Sequence, residues 1–111
     1  MLTLTAGLAM AVTENGGSGN DTVRGSKFSD TLNGGSGNDR VYGLGSADEL
    51  QGGSGEDRVY GGSGRDDIVG GSDDDTIYAR DGFKDTIDCG SGTDRVQRDS
   101  FDVVDACERR F

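Results

Sequence analysis

From Gly16 to Gln97 the chain returns to one pattern every nine residues, and so strict a period leaves few folds open. Written in register, the units are GGSGNDTVR, GSKFSDTLN, GGSGNDRVY, GLGSADELQ, GGSGEDRVY, GGSGRDDIV, GGSDDDTIY, the ten-residue ARDGFKDTID, and CGSGTDRVQ. Position six is aspartate in all nine, counting the ten-residue unit from its end: Asp21, Asp30, Asp39, Asp48, Asp57, Asp66, Asp75, Asp85 and Asp94. Position eight is aliphatic in all nine: Val23, Leu32, Val41, Leu50, Val59, Ile68, Ile77, Ile87 and Val96. An ordinary globular core imposes no such rhythm. A stack of identical small units does, because each buries its apolar face only against its neighbours.

The last three residues of a unit, such as Arg58-Val59-Tyr60, alternate out, in, out, so position eight alone enters the interior. Nine aliphatic side chains are a small core for a stretch of this length, and glycine, which loses most entropy on folding, fills the turns. Composition sharpens the problem. With 21 glycines, 31% hydrophobic residues and a net charge of −10, the same residues in random order describe a chain unable to order itself. A further stabiliser is required. Multivalent cations suit a surface of 21 acidic and 11 basic residues, whereas nucleic acid does not.

These units resemble the repeats-in-toxin (RTX) family, whose nonapeptide is G-G-x-G-x-D-x-U-x, with U a large aliphatic residue. The resemblance covers residues 16 to 97, about three quarters of the chain, and six units carry the G-G-S-G-x-D loop in full or miss it by one residue. It implies an all-β fold: a right-handed parallel β-roll (a β-solenoid) with two nine-residue repeats per coil, and calcium between adjacent turns. The chemistry of the loop residues points the same way. Calcium takes about six to eight oxygen ligands, which aspartates and the carbonyls of tight glycine turns supply. Zinc would want histidine or thiolate, and the chain has no histidine. Magnesium keeps its waters rather than enter an all-protein cage.

With two repeats per coil, alternate loops stack on opposite flanks, same-flank neighbours being 18 residues apart. The odd-numbered loops stay close to the family pattern. They offer Asp21, Asp39, Asp57, Asp75 and Asp94 with Gly17, Gly19, Gly35, Gly37, Gly53, Gly55, Gly71 and Gly92 as a strong calcium flank of four sites. The even-numbered loops GSKFSD, GLGSAD, GGSGRD and RDGFKD are degenerate and contain Lys27, Arg65 and Lys84. Asp30, Asp48, Asp66 and Asp85, with Gly62 and Gly64, therefore form a weaker flank, its three gaps poorly filled or empty. About four or more calcium ions are expected in all. On the outer surface Tyr42, Tyr60 and Tyr78 fall in one column beside Arg40 and Arg58. This column is read as a ladder stabilising neighbouring strands, with a ligand-binding face as the alternative. The threonines are too scattered for an ice-binding array.

Residues 1–15 read either as a cap strand, through Leu2, Thr3, Leu4 and Thr5, or as the remnant of a signal peptide with Ala9-Met10-Ala11 at its cleavage site. Residues 16–97 form the roll and residues 98–111 a C-terminal cap. Cys89 and Cys107 stand 18 residues apart, one coil, which places their α-carbons about 4.8 Å from each other and inside the range of about 4.4–6.8 Å for a disulfide. Two free thiols are the alternative. The register here is open by one residue, since Asp102 taken as a displaced position six puts Val104 at position eight and Cys107 one place late.

No catalytic motif occurs: H-E-x-x-H, G-x-S-x-G and a Walker loop are all missing, and the nine-residue period excludes an EF-hand. Asn20-Asp21-Thr22 matches a glycosylation sequon inside a calcium loop and is read as coincidence. The expectation is a non-enzymatic monomer without a membrane span, secreted and bacterial by its resemblance, that folds on binding calcium outside the cell. A surface element that binds an extracellular partner through the Tyr and Arg face is the second reading.

Overall fold

The computed structural model describes residues 3–5, 13–107 and 109–110. Its thirteen strands, numbered in chain order, alternate between two parallel sheets. One contains β1 (Thr3–Thr5), β3 (Thr22–Arg24), β5 (Arg40–Tyr42), β7 (Arg58–Tyr60), β9 (Thr76–Tyr78), β11 (Arg95–Gln97) and β13 (Arg109–Arg110), side by side in that order. The other contains β2 (Thr13–Asn15), β4 (Thr31–Asn33), β6 (Glu49–Gly53), β8 (Asp67–Gly71), β10 (Thr86–Asp88) and β12 (Val103–Asp105). Consecutive strands never pair. Each lies beside the strand one coil away, which is the β-roll topology. No helix among the described residues is long and apolar enough to cross a membrane.

The register follows from position eight. In the odd sheet Val23, Val41, Val59, Ile77 and Val96 are direct cross-strand partners, and in the even sheet Leu32, Leu50, Ile68, Ile87 and Val104 are. The nine repeat residues of this set are buried, and Val104 packs partly buried against them. A slip of one residue would turn this whole column to solvent, so the aliphatic column fixes the pairing. The extra residue of the ten-residue unit is taken up in its loop, since Thr86 still pairs with Asp67 and Ile87 with Ile68.

Beyond Gln97 one more even strand forms with Asp102 at position six and Val104 at position eight, so the displaced register is the one adopted. Cys107 then falls one residue past the position opposite Cys89. The two are nevertheless bonded, with α-carbons 5.1 Å apart. At the other end β1 lies beside β3 with Leu4 opposite Val23. Leu2 and Ala9-Met10-Ala11 lie outside the described residues. In β2 the residue in register with Leu32 is Glu14, so the even sheet starts with a charged residue at its inward position, a common guard on an edge strand.

On the odd sheet's outer face the tyrosine rings stack face to face. Centroids are 4.7 Å apart for Tyr42 and Tyr60 and 4.6 Å for Tyr60 and Tyr78, with interplanar angles of 6° and 5°. The Arg24 guanidinium covers the free face of Tyr42 at 5.0 Å. Ring faces are thus spent on the column itself.

Candidate metal centre

Each position-six aspartate closes a glycine loop and enters the next strand, which places its side chain inside the turn. The nine repeat aspartates are all buried, and Asp102 joins them. One carboxylate oxygen has a structural partner. Oδ1 of Asp39, Asp57, Asp75 and Asp94 accepts the backbone N–H of Asp21, Asp39, Asp57 and Asp75, one coil earlier, at 2.7–2.9 Å. The even flank repeats the ladder from Asp30 to Asp48, Asp66, Asp85 and Asp102 at 2.8–2.9 Å. This aspartate ladder is invisible in the repeat pattern, which explains the invariant residue only through its charge.

The second oxygen is different. Oδ2 of Asp39, Asp57 and Asp75 on the odd flank and of Asp48, Asp66 and Asp85 on the even flank is buried and accepts no hydrogen bond, as do both oxygens of Asp21. A buried charge of this kind is costly unless something compensates it. Burial accordingly raises the carboxyls to about 7 for Asp48, Asp57 and Asp85 and about 8 for Asp66 and Asp75, opposed by the ladder hydrogen bond and reinforced by neighbouring aspartates. Asp39 is raised by the same burial.

The turns bring backbone oxygens to the same place. Gly17, Gly35, Gly53, Gly71 and Gly90 at position two, and Gly19, Gly37, Gly55 and Gly92 at position four, all have positive φ, as do Gly62 and Gly64 on the even flank. A side chain at Gly35 would collide with the Gly17 carbonyl oxygen, and one at Gly53 with that of Gly35, so each turn stacks on the carbonyls of the last. Where the sequence lacks glycine, the turn is kept at the cost of strain: Leu44 (φ 73°), Ser46 (φ 67°) and Asp73 (φ 70°) occupy the left-handed region.

Two even-flank loops depart from this scheme. In the loop before β4, the Ser26 backbone N–H and hydroxyl donate to the Asp30 carboxylate at 2.6 and 2.9 Å, so that aspartate is satisfied by its own turn. In the ten-residue unit, Asp81 joins Asp66 and Asp85, with one ligand atom from each lying within 4.8 Å of the others. Its Oδ2 is also buried without a partner, and burial raises its carboxyl. Counted from the end of its unit, Asp81 stands at position two, where most other loops have glycine. An irregular unit carrying an extra aspartate was the available signal.

The donor set is hard oxygen throughout: paired buried carboxylates and stacked carbonyls. That set fits calcium and offers no nitrogen or thiolate ligand, the cysteines being joined to each other. A family model for the RTX calcium-binding nonapeptide repeat, four copies long, matches residues 15–50, 42–77 and 64–96. The chain belongs to the RTX calcium-binding repeat family. No curated protein and no solved structure matches it. In this RTX chain the position-six aspartates with an unpartnered Oδ2, together with the stacked turn carbonyls, are the oxygen donors that could hold such ions.

Proposed function

We propose that this RTX roll folds on calcium and acts outside the cell as a calcium-dependent structural module. The supporting observation is the row of buried Oδ2 atoms with no donor, because a roll bearing them ionised without a cation is at odds with its own core. Each candidate site is assembled from loops one coil apart, so it does not exist in the unfolded chain, and metal affinity becomes folding free energy. The odd flank loads first. Its turns reach the left-handed conformation almost entirely with glycine, whereas the even flank uses Leu44 and Ser46 and satisfies Asp30 internally. Arg65 and Lys84 also line the even-flank cleft beside Asp48 and Asp66. The Cys89–Cys107 bond suits an oxidising compartment.

Far-UV circular dichroism at neutral pH tests this reading. Coil in excess chelator and β-structure after calcium addition are expected, with a midpoint in the range of about 10⁻⁴–10⁻³ M usual for extracellular modules. Full β-structure in chelator would overturn it. The second reading, a partner-binding Tyr and Arg face, draws on the exposed arginines of the odd sheet. The stacked tyrosines give it less, because their faces are already covered.

A further inference from the structure

The two outer faces of the roll carry opposite charge in matching order. Over four adjacent strands position seven reads Thr22, Arg40, Arg58, Thr76 on the odd sheet, continuing to Arg95, and Thr31, Glu49, Asp67, Thr86 on the even sheet, continuing to Val103. The four charged residues are all exposed. Within each row the like charges are direct cross-strand partners, Arg40 with Arg58 and Glu49 with Asp67, an arrangement that destabilises an isolated sheet. Both rows share the strand spacing of about 4.8 Å.

We infer that the odd face of one copy docks on the even face of a second copy. The topology specifies how. Because the chain reverses at every loop, strands of the two sheets run in opposite directions. Position seven of one face therefore meets position seven of the other only when the roll axes are antiparallel. That arrangement sets Arg40 against Asp67, Arg58 against Glu49 and threonine against threonine, and it brings Arg24 opposite Asp88 at position nine. Each copy keeps one face free after docking, so the contact is heterologous and propagates as an open stack rather than closing into a dimer. A strip three residues wide is well below the roughly 800 Å² per partner of stable complexes, so the association is weak, salt-sensitive and confined to high local concentration.

A competing account exists: the position-five groups Glu56 and Asp74 share a cleft with Arg40 and Arg58, and Arg65 and Lys84 share one with Glu49 and Asp67. Those loop groups sit at the roll edges and could neutralise the rows within one copy. Sedimentation velocity of the calcium-loaded full chain, up to millimolar concentration, separates the two. At low salt the weight-average mass should climb beyond dimer with concentration, and it should return to monomer in high salt. Arg40→Glu with Arg58→Glu makes the central pairs of both faces acidic; Glu49→Arg with Asp67→Arg makes both basic. Each double variant, with its fold verified by circular dichroism in calcium, should remain monomeric, and an equimolar mixture should associate again. If a reversal prevents folding, Arg40→Gln with Arg58→Gln carries the same expected loss. A wild-type chain that stays monomeric at low salt, or reversal variants that associate as well as wild type, would overturn the inference in favour of neutralisation by the loops.

Discussion

Asp57 lies in the middle of the odd flank and combines the two roles the structure gives to position six. Its Oδ1 accepts the Asp39 N–H at 2.9 Å, and its Oδ2 is buried without a donor. Two substitutions separate these roles. Asp57→Asn keeps an acceptor for the Asp39 N–H and removes the charge, so only the metal-facing function is lost. Calcium affinity follows ligand charge, and Asp57 faces a gap on either side, so the loss is on the order of tenfold for each of two ions. Asp57→Ala loses the same charge and also strands a buried N–H, adding about 1–3 kcal/mol. The assay is a calcium titration followed by far-UV circular dichroism, with Asp21→Asn and Asp48→Asn in parallel. The expected order of midpoints is Asp57→Ala above Asp57→Asn, with Asp21→Asn lower, since that loop begins the flank and faces one gap. Asp48→Asn, on the strained GLGSAD loop, should move the midpoint least. An Asp57→Asn midpoint equal to wild type would refute the metal role of Oδ2. Equal effects for Asp48→Asn and Asp57→Asn would refute the difference between flanks.

Three further outcomes follow from the same structure. Because the folded carboxyls of Asp48, Asp57, Asp66, Asp75 and Asp85 are raised from 3.8 to about 7 or 8, the metal-free folded roll binds more protons than the unfolded chain. Its stability therefore falls as pH rises from about 4 to about 8, so the calcium-free chain should gain β-structure as pH is lowered from about 8 to about 5, whereas the calcium midpoint, which links two states with ionised carboxylates, should stay flat between about pH 6 and pH 8.5; calcium-free circular dichroism unchanged on acidification would contradict the shifts. Reducing Cys89–Cys107 should loosen the last coil by roughly 3 kcal/mol in the chain-entropy picture while the first coils still load calcium, and hydrogen exchange that rises uniformly along the roll would count against it. Leu44→Gly should relieve left-handed strain of about 1 kcal/mol and lower the calcium midpoint, whereas Gly35→Ala should raise it steeply by driving a methyl group into the Gly17 carbonyl; thermal melts showing the same sign for both would refute the turn geometry.

Everything that repeats was legible in the sequence, because a repeat is a local rule applied many times. Alternation about position eight gave the buried column from Val23 to Val96, and its spacing gave the coil. Glycine at positions two and four marked the left-handed turns at Gly17, Gly19, Gly35 and Gly37. The constant aspartate marked a buried charge, and family resemblance named its cation. Much of what tertiary structure alone decided lies between residues about one coil apart, and the rest in loops that break the repeat. The ladder from Asp21 N–H to Asp39 Oδ1 exists only because the strands stack in register, and it shows that position six holds the roll together. Asp81 reaches Asp66 and Asp85 because an inserted residue is absorbed by its loop rather than by the strand. Ser26 turns inward to satisfy Asp30, which removes one candidate carboxylate from the even flank. Asp102 recovers position six after a shortened turn, since Val104 gains more by joining the core beside Ile87 than the chain loses by breaking its period.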